Sequence, residues 1–413
     1  MIHMQLINSL KATARGTMEM LSAYDPAHEE ARKVAKLENQ TSPTVVTPSY
    51  RHLEAAIGWI KRAQDSSNSG GVAWGYRARR PVRAVIPLGW VAPYPETTGY
   101  TIPTMLRFSD LSGDKDCLHR AGRMTAWELS IQLEDGGIQG GTIGVQPVAS
   151  STFVTGQVLF GFLAAYNRFP AEAIRAGAIR AGEFLLGCLD GSGRFARGHS
   201  QYCAPGAKAY EVRTGLALAE LGDLLGDQRF RIAASNMADY ALSVQETNGW
   251  FRENDLNDHD RPLTHTIGYV MEGLHGIGIS LGRRDCIEAV QRTLDHIVPL
   301  IRPDGFLAGR WRNDWTPAVD WACLTGSAQI AGIFLRMYEQ TMKPEYLEAG
   351  RKLLGFVCFT QDLRTGVPGL DGGIRGSYPF DGEYGKWCVL NWATKFFCDS
   401  VMDYLRIKGA PQR

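Results

Sequence analysis

Six times along this chain a glycine turn leads into a short apolar pair: SGGVAW, DGGIQG, GSGRFA, TNGWFR, PDGFLA and DGGIRG. The glycines before the apolar residue are Gly71, Gly137, Gly193, Gly249, Gly305 and Gly373, giving steps of 66, 56, 56, 56 and 68 residues. A charged segment with helical spacing precedes each turn, at 50–64, 115–133, 171–188, 228–245, 285–301 and 344–359. After each turn come a loop and a more uniformly apolar helix opening on Thr-Gly or a near equivalent. These starts are Thr98-Gly99, Thr155-Gly156, Thr214-Gly215, Thr266 with Gly268, Thr325-Gly326 and Thr394-Lys395. Self-similarity at such a period marks a repeat architecture, and it overrides the two or three domains that 413 residues would otherwise suggest.

A helix with one apolar stripe belongs outside, and one apolar on nearly all sides belongs inside. Six of each predict an all-α protein in which twelve antiparallel helices close into a double-walled (α/α)6 toroid. Glycines within an inner helix, as in GYVMEGLHGIGISLG, cost about 1 kcal/mol each against alanine. Close approach of backbones in a crowded inner ring is the expected compensation. An open helical solenoid is the alternative, but its repeats run at about 34–47 residues, shorter than these. The pattern divides the chain into an N-terminal helical extension and linker at 1–49 and a toroid domain at 50–413. Within the extension, 4–22 and 27–38 read as amphipathic helices and 38–50 as a Thr/Ser/Pro connector.

Lys and Arg number 44 against 43 Asp and Glu, a net charge of +1, so no global field draws nucleic acid or an anionic membrane surface. An anionic substrate would be held by local arginines. No apolar run approaches the roughly 18 residues that span a bilayer, so no membrane insertion is expected. The N-terminal stretch lacks an apolar signal-peptide core. The eight cysteines contain no CxxC and sit largely in apolar runs, which suits a reducing compartment. A cytoplasmic protein is expected; its oligomeric state is left open. There is no GxGxxG fingerprint and no P-loop, and no cofactor is expected. No metal is expected either. The acidic run Asp255, Asn257, Asp258, His259 and Asp260 lacks the glycine and the final glutamate of a calcium loop. The last histidine is His296, so the Cys323 and Cys388 regions have no later histidine with which to complete the zinc site of lanthionine-synthetase cyclases or protein prenyltransferases. The DxDD motif of terpene-cyclase toroids is missing.

In a closed ring, the loops between each glycine turn and the next Thr lie at one end. They hold under a third of the chain but eight of its ten tryptophans: Trp74, Trp90, Trp250, Trp311, Trp315, Trp321, Trp387 and Trp392. Flat apolar faces around a cleft are what pyranose rings stack on, whereas a structural reading has some of them wedging loops onto the toroid. Trp74, Trp90, Tyr94, Trp250, Trp311, Trp315 and Trp387 are the aromatic candidates for substrate binding. Glu96, Glu211 and Asp320 precede the inner helices of repeats one, three and five, and a ring would bring them together as acid and base. Glycoside hydrolysis requires such a pair, about 5–9.5 Å apart. The structural reading of Glu96 is a carboxylate satisfying a helix N-terminus. His265, Tyr210 and Tyr378 are candidate proton-transfer residues, and each has a structural alternative as a satisfied buried group. Arg213 and Arg375 are candidates to hold a substrate carboxylate. Glu383 and Asn391 complete the polar set.

YPETTGYTIPTML at 94–106, TGQVLFGFLAAY at 155–166, LTHTIGYVMEGL at 263–274, and GGIRGSYPFDGEYG followed by NWATKFF resemble bacterial six-hairpin-glycosidase-like proteins of exopolysaccharide biosynthesis clusters. Members of that group carry labels such as VpsJ-like and D-glucuronyl C5-epimerase-like. The resemblance covers about residues 50–406 and implies an (α/α)6 toroid working on polysaccharide. It marks Glu96, His265, Arg375, Tyr378 and Asn391 as matching positions and brings no catalytic assignment with it. The resulting expectation is an enzyme acting on a uronic-acid-containing polysaccharide or oligosaccharide. Glycoside hydrolase chemistry is favoured over lyase or C5-epimerase chemistry. A non-catalytic glycan-binding partner is the alternative from a different class.

Overall fold

A computed structural model describes residues 26–38, 40–79 and 88–409. Helix α1 (Pro26–Glu38) is followed by six outer/inner pairs. They are α2 (Tyr50–Asp65) with α3 (Pro95–Ser112), α4 (Lys115–Ile131) with α5 (Thr152–Arg168), and α6 (Glu172–Cys188) with α7 (Val212–Leu225). Next come α8 (Gln228–Ser243) with α9 (Thr264–Leu281), α10 (Arg284–Ile297) with α11 (Leu324–Thr341), and α12 (Pro344–Thr360) with α13 (Asn391–Ile407). Each inner helix packs on the next around the ring, and α13 returns to α3. The chain is an (α/α)6 toroid. The expected helix at 27–38 is α1; that at 4–22 lies outside the described residues.

The two repeated signals answer to each other. In every turn one glycine takes a left-handed φ: Gly70, Gly136, Gly193, Gly249, Gly305 and Gly372. In the three glycine doublets it is the first glycine that does so. A Cβ there would press on backbone of the next outer helix, at Arg123, Arg180, Asn236, Arg292 with Thr293, and Lys352 in turn. The sixth, Gly372, presses on Ala55 of α2, so the last turn docks on the first outer helix. In the first, second and sixth repeats the threonine that opens the inner helix takes the backbone N–H just released by the turn. Val72 N donates to Thr98 Oγ1, Ile138 N to Thr155 Oγ1 and Ile374 N to Thr394 Oγ1, each at 2.9 Å. An otherwise orphaned buried donor is thereby satisfied. The following glycine lets inner helices touch: a Cβ on Gly99 would lie 2.5 Å from Val158 Cα of α5.

Strands close the seam between the first and last repeats. A four-stranded sheet runs β2–β1–β6–β4, with β1 (Gly75–Arg77), β2 (Gly89–Trp90), β4 (Ile374–Arg375) and β6 (Cys388–Leu390). In it Tyr76 opposes Val389 in antiparallel register. β3 (Ala322–Cys323) pairs with β5 (Ser377–Tyr378). Asn391, expected at the substrate, is a seam residue. It is buried, and its Nδ2 donates to Ala73 O at 2.8 Å and Thr97 Oγ1 at 2.6 Å. Arg375, expected to hold a carboxylate of the substrate, is fully occupied within the chain. Its guanidinium pairs with Asp362 at 2.7 Å and with Glu38 of α1, whose other oxygen accepts from Phe380 N at 2.8 Å. The extension is thus pinned to the sixth loop, and Val46 of the connector bonds to Gly355 of α12.

Candidate active site

The N-terminal mouth of the inner ring holds a cavity of about 430 Å³, within the range of small-molecule sites. Glu96 enters it from the first turn of α3, directly after Pro95, which starts the helix. The Tyr94 hydroxyl donates to Glu96 Oε2 at 2.5 Å. Burial pushes the Glu96 carboxyl up to about 7, against the opposing pull of Tyr94 and Arg213. It is the one carboxylate among the described residues that line this cavity.

His265 faces the cavity from α9, 5 % exposed. Its Nδ1 lies 2.5 Å from Gln329 Oε1 of α11, and Gln329 Nε2 donates to Glu272 Oε2 at 3.2 Å. The carboxylate can only accept, so it orients the amide. The amide oxygen in turn assigns the proton to Nδ1 and leaves Nε2 as an acceptor. Burial pulls His265 down to about 4, so the ring is neutral. Tyr269, one helical turn on, packs against it with the rings tilted and centroids 4.2 Å apart, and Tyr384 lies 5.7 Å away. Burial holds both phenols well above their usual range. Trp74 and Trp392 meet edge-to-face at 4.9 Å, and the Trp392 indole N–H donates to Tyr384 Oη at 2.9 Å. Tyr210 and Arg77 also line the wall, Arg77 being the cation among the described lining residues.

Of the candidates named from sequence, the cavity gathers Glu96, His265, Tyr210, Trp74 and Tyr94. The others lie elsewhere, and the expected convergence of three carboxylates does not occur. Glu211 is buried behind Tyr210, where its Oε2 accepts from Lys208 N at 3.1 Å and Oε1 lies 3.6 Å from His199. Asp320 is exposed outside the cavity. Tyr378 packs on Phe356 and Phe359, with the closer ring centroid at 5.2 Å. Glu383 is an exposed partner of Arg310 at 3.7 Å. Trp250, Trp311 and Trp315 are buried, and Trp315 packs edge-to-face on each of the other two, as loop wedges. Trp90 packs on Trp59 and Tyr76, and Trp387 on Phe380.

Arg213 lies beneath the floor rather than in the cavity. Its guanidinium sits 4.9–5.5 Å from the ring centroids of Phe160, Tyr269, Tyr100 and Phe396, and Nε donates to Glu272 at 3.0 Å. Tyr269 and Cys203 were not singled out from sequence as site residues, and Trp392 and Tyr384 stood out there only as residues of the loops. Tyr269 was the most accessible of these, since it follows His265 by four positions on the same helix face.

Among the described residues no group of three or more His, Cys, Asp or Glu is placed to hold a metal ion. In the 255–260 run, Asp255 is committed to Lys208 at 3.0 Å.

No protein-family model matches the sequence, and no curated protein does. Solved structures do match in fold. An unsaturated glucuronyl hydrolase specific for heparin superposes with a TM-score of 0.68 at 15% identity, covering 88% of this chain and 98% of that one. Cellobiose 2-epimerase from Bacillus thermoamylovorans gives 0.63 at 12%, covering 85% and 97%. A polysaccharide lyase gives 0.54 at 13%, covering 78% and 92%. These likenesses establish the architecture: the chain shares its (α/α)6 toroid fold with these structures.

Proposed function

We propose that the chain is a carbohydrate-active enzyme of the hydrolase type, acting on the uronyl end of a short saccharide, with Glu96 as its acid–base residue. The observation that carries this reading is the single cavity carboxylate held near neutrality. Ordinary glycoside hydrolysis uses two carboxyl groups, and no second one lines this cavity among the described residues. A 4,5-unsaturated uronyl unit needs only one. Protonation of its enol ether at C4 places the cation at C5 and the ring oxygen. Water adds at C5 as the same carboxylate takes its proton, and the resulting hemiketal opens to release the next sugar. A carboxyl titrating near 7 can serve in both steps. The aromatic walls at Trp74 and Trp392 would seat the ring, Arg77 the uronate, and His265 Nε2 would accept from the water or a hydroxyl. The similarity to an unsaturated glucuronyl hydrolase supports the same class. A reducing, cytoplasmic setting belongs to this proposal, supported by eight cysteines that are all free thiols.

A second reading, uronyl C5-epimerisation or β-elimination, is favoured by one observation: a neutral histidine shares the cavity with Glu96, giving two proton-transfer groups. Unsaturated and saturated uronyl oligosaccharides, incubated in deuterated water, separate the two. Hydrolysis consumes the ultraviolet absorbance of the unsaturated unit, elimination creates it, and epimerisation leaves it unchanged while installing deuterium at C5. Undiminished turnover by Glu96→Gln would remove the proposal.

A further inference from the structure

Behind the floor formed by Arg213 and its rings, the bore reopens. At the opposite mouth, where the inner helices end, lies a second cavity of about 690 Å³. Its charged groups are mostly committed. Arg107 pairs with Asp403 at 2.5 Å, Lys395 with Asp399 at 2.7 Å, and Arg213 and Arg336 share Glu272 at 3.0 and 3.2 Å. Asp223 pairs with Arg231 and accepts from Ser280 at 2.8 Å. His275, pulled down to about 4 by burial, is neutral and bonded to Gln340 at 2.9 Å.

Two polar groups are left over. Arg213, 6 % exposed, has an Nη1 with no hydrogen-bond partner. The ring faces around the guanidinium offset part of the cost of that orphan donor, and an accepting hydroxyl drawn in from the cavity would offset the rest. Glu220 follows seven residues later, two turns along the same face of α7 and about 10 Å along its axis. It reaches solvent within this cavity and pairs with no group of the described chain. Burial raises its carboxyl to about 7. Phe160 and Phe396, which flank the Arg213 guanidinium, supply apolar ring faces to the same cavity.

The charge balance decides the kind of ligand. Arg107, Arg213, Arg336 and Lys395 face Asp223, Glu272, Asp399 and Asp403, four against four, and Glu220 is divided between charged and neutral forms. A free ion meets little net field there. A molecule whose hydroxyls both donate and accept, and whose ring has an apolar face, satisfies both leftover groups and the aromatic wall. We propose that this second cavity is a binding site for a neutral, polyhydroxylated ligand of monosaccharide size, held between Arg213 and Glu220 and separate from the Glu96 cavity. The proposal does not depend on the reaction at Glu96.

Calorimetric titration and saturation-transfer NMR with glucose, galactose and mannose test it, with glucosamine and glucuronate as charged controls. Ala164→Trp fills the second cavity, Glu220→Ala removes one partner, and Trp392→Ala strips a wall of the first. Expected is millimolar binding of a neutral sugar, weakened about tenfold or more by Ala164→Trp and by Glu220→Ala and changed less than about twofold by Trp392→Ala. Should circular dichroism show Ala164→Trp misfolded, the solvent-reaching Glu220→Ala decides alone. Three results overturn the proposal: no neutral monosaccharide bound up to about 50 mM; binding abolished by Trp392→Ala while both second-cavity variants bind normally; or a charged sugar preferred at the second cavity by more than about tenfold.

Discussion

Glu96→Gln should make the protein more stable while removing its activity, and the gain should depend on pH. In the folded chain the Glu96 carboxyl stands near 7 against a reference of 4.5, and burial is the main cause. Between those values the folded state keeps a proton that the unfolded state has lost, so folding stability falls as pH rises from 4.5 to 7 and is level above. The difference of about 2.5 units, at about 1.36 kcal/mol each, is about 3 kcal/mol by pH 8. Glutamine has nearly the shape of the protonated acid and can still accept from Tyr94, but it has no charge to bury. Wild type and variant should therefore unfold in urea at similar midpoints near pH 4.5 and separate progressively, reaching about 3 kcal/mol in the variant's favour at pH 8. A difference that does not change with pH would refute the argument, as would a variant weaker than wild type at pH 8.

Activity of the wild type should decline above about pH 7 if protonation by Glu96 limits the rate, as a pH–kcat/KM profile on an unsaturated uronyl disaccharide would show. Arg213→Met removes a cation that lowers the Glu96 pKa, so that limb should move to higher pH. The same variant should lose about 3–5 kcal/mol of stability, because buried Glu272 loses a partner. The tryptophans should divide into two groups. Trp74→Ala, at a half-buried cavity wall, should raise KM with a smaller effect on unfolding, while Trp250→Ala should cost about 3–5 kcal/mol and leave KM near wild type. Gly193→Ala should destabilise by more than about 1 kcal/mol, measured by urea unfolding, because φ is +79° and its Cβ would strike Asn236 O.

The toroid was legible because its two signals are local and repeated: a turn glycine that only a left-handed backbone and a neighbouring helix require, and a threonine that in three of the six repeats takes the N–H the turn releases. What the repeat could not convey is which side chains of a loop face the bore. Glu96 and Glu211 stand at similar places before their helices. The second, however, lies in a short 3-10 turn (Ala209–Glu211) and bends back to cap Lys208, while the first follows a proline straight into the cavity. Trp392 and Trp387 are five residues apart, yet one lines the wall and the other packs on Phe380. An indole serves as wedge or platform with equal chemistry, so counting tryptophans located the functional end without separating the two uses. Tyr210 and Arg213 are three residues apart, yet the first lines the Glu96 cavity and the second lines the chamber behind it, and sequence carries no mark of the floor between them.

The seam has a consequence for how the protein is made. Trp59 Nε1 donates to Gly369 O at 2.8 Å and Gln361 Nε2 to His52 O at 3.1 Å, bonds between residues more than 300 positions apart. A linear helical array can settle repeat by repeat as it leaves the ribosome, but here the first outer helix waits for the last turn. Until Gly372 reaches α2 and β6 reaches β1, one flank of the first repeat has no neighbour. A chain stopped short of about residue 370 would therefore be a poor folder out of proportion to the residues it lacks, because Tyr384 and Trp392 of the last repeat complete the wall of a cavity whose acid, Glu96, belongs to the first.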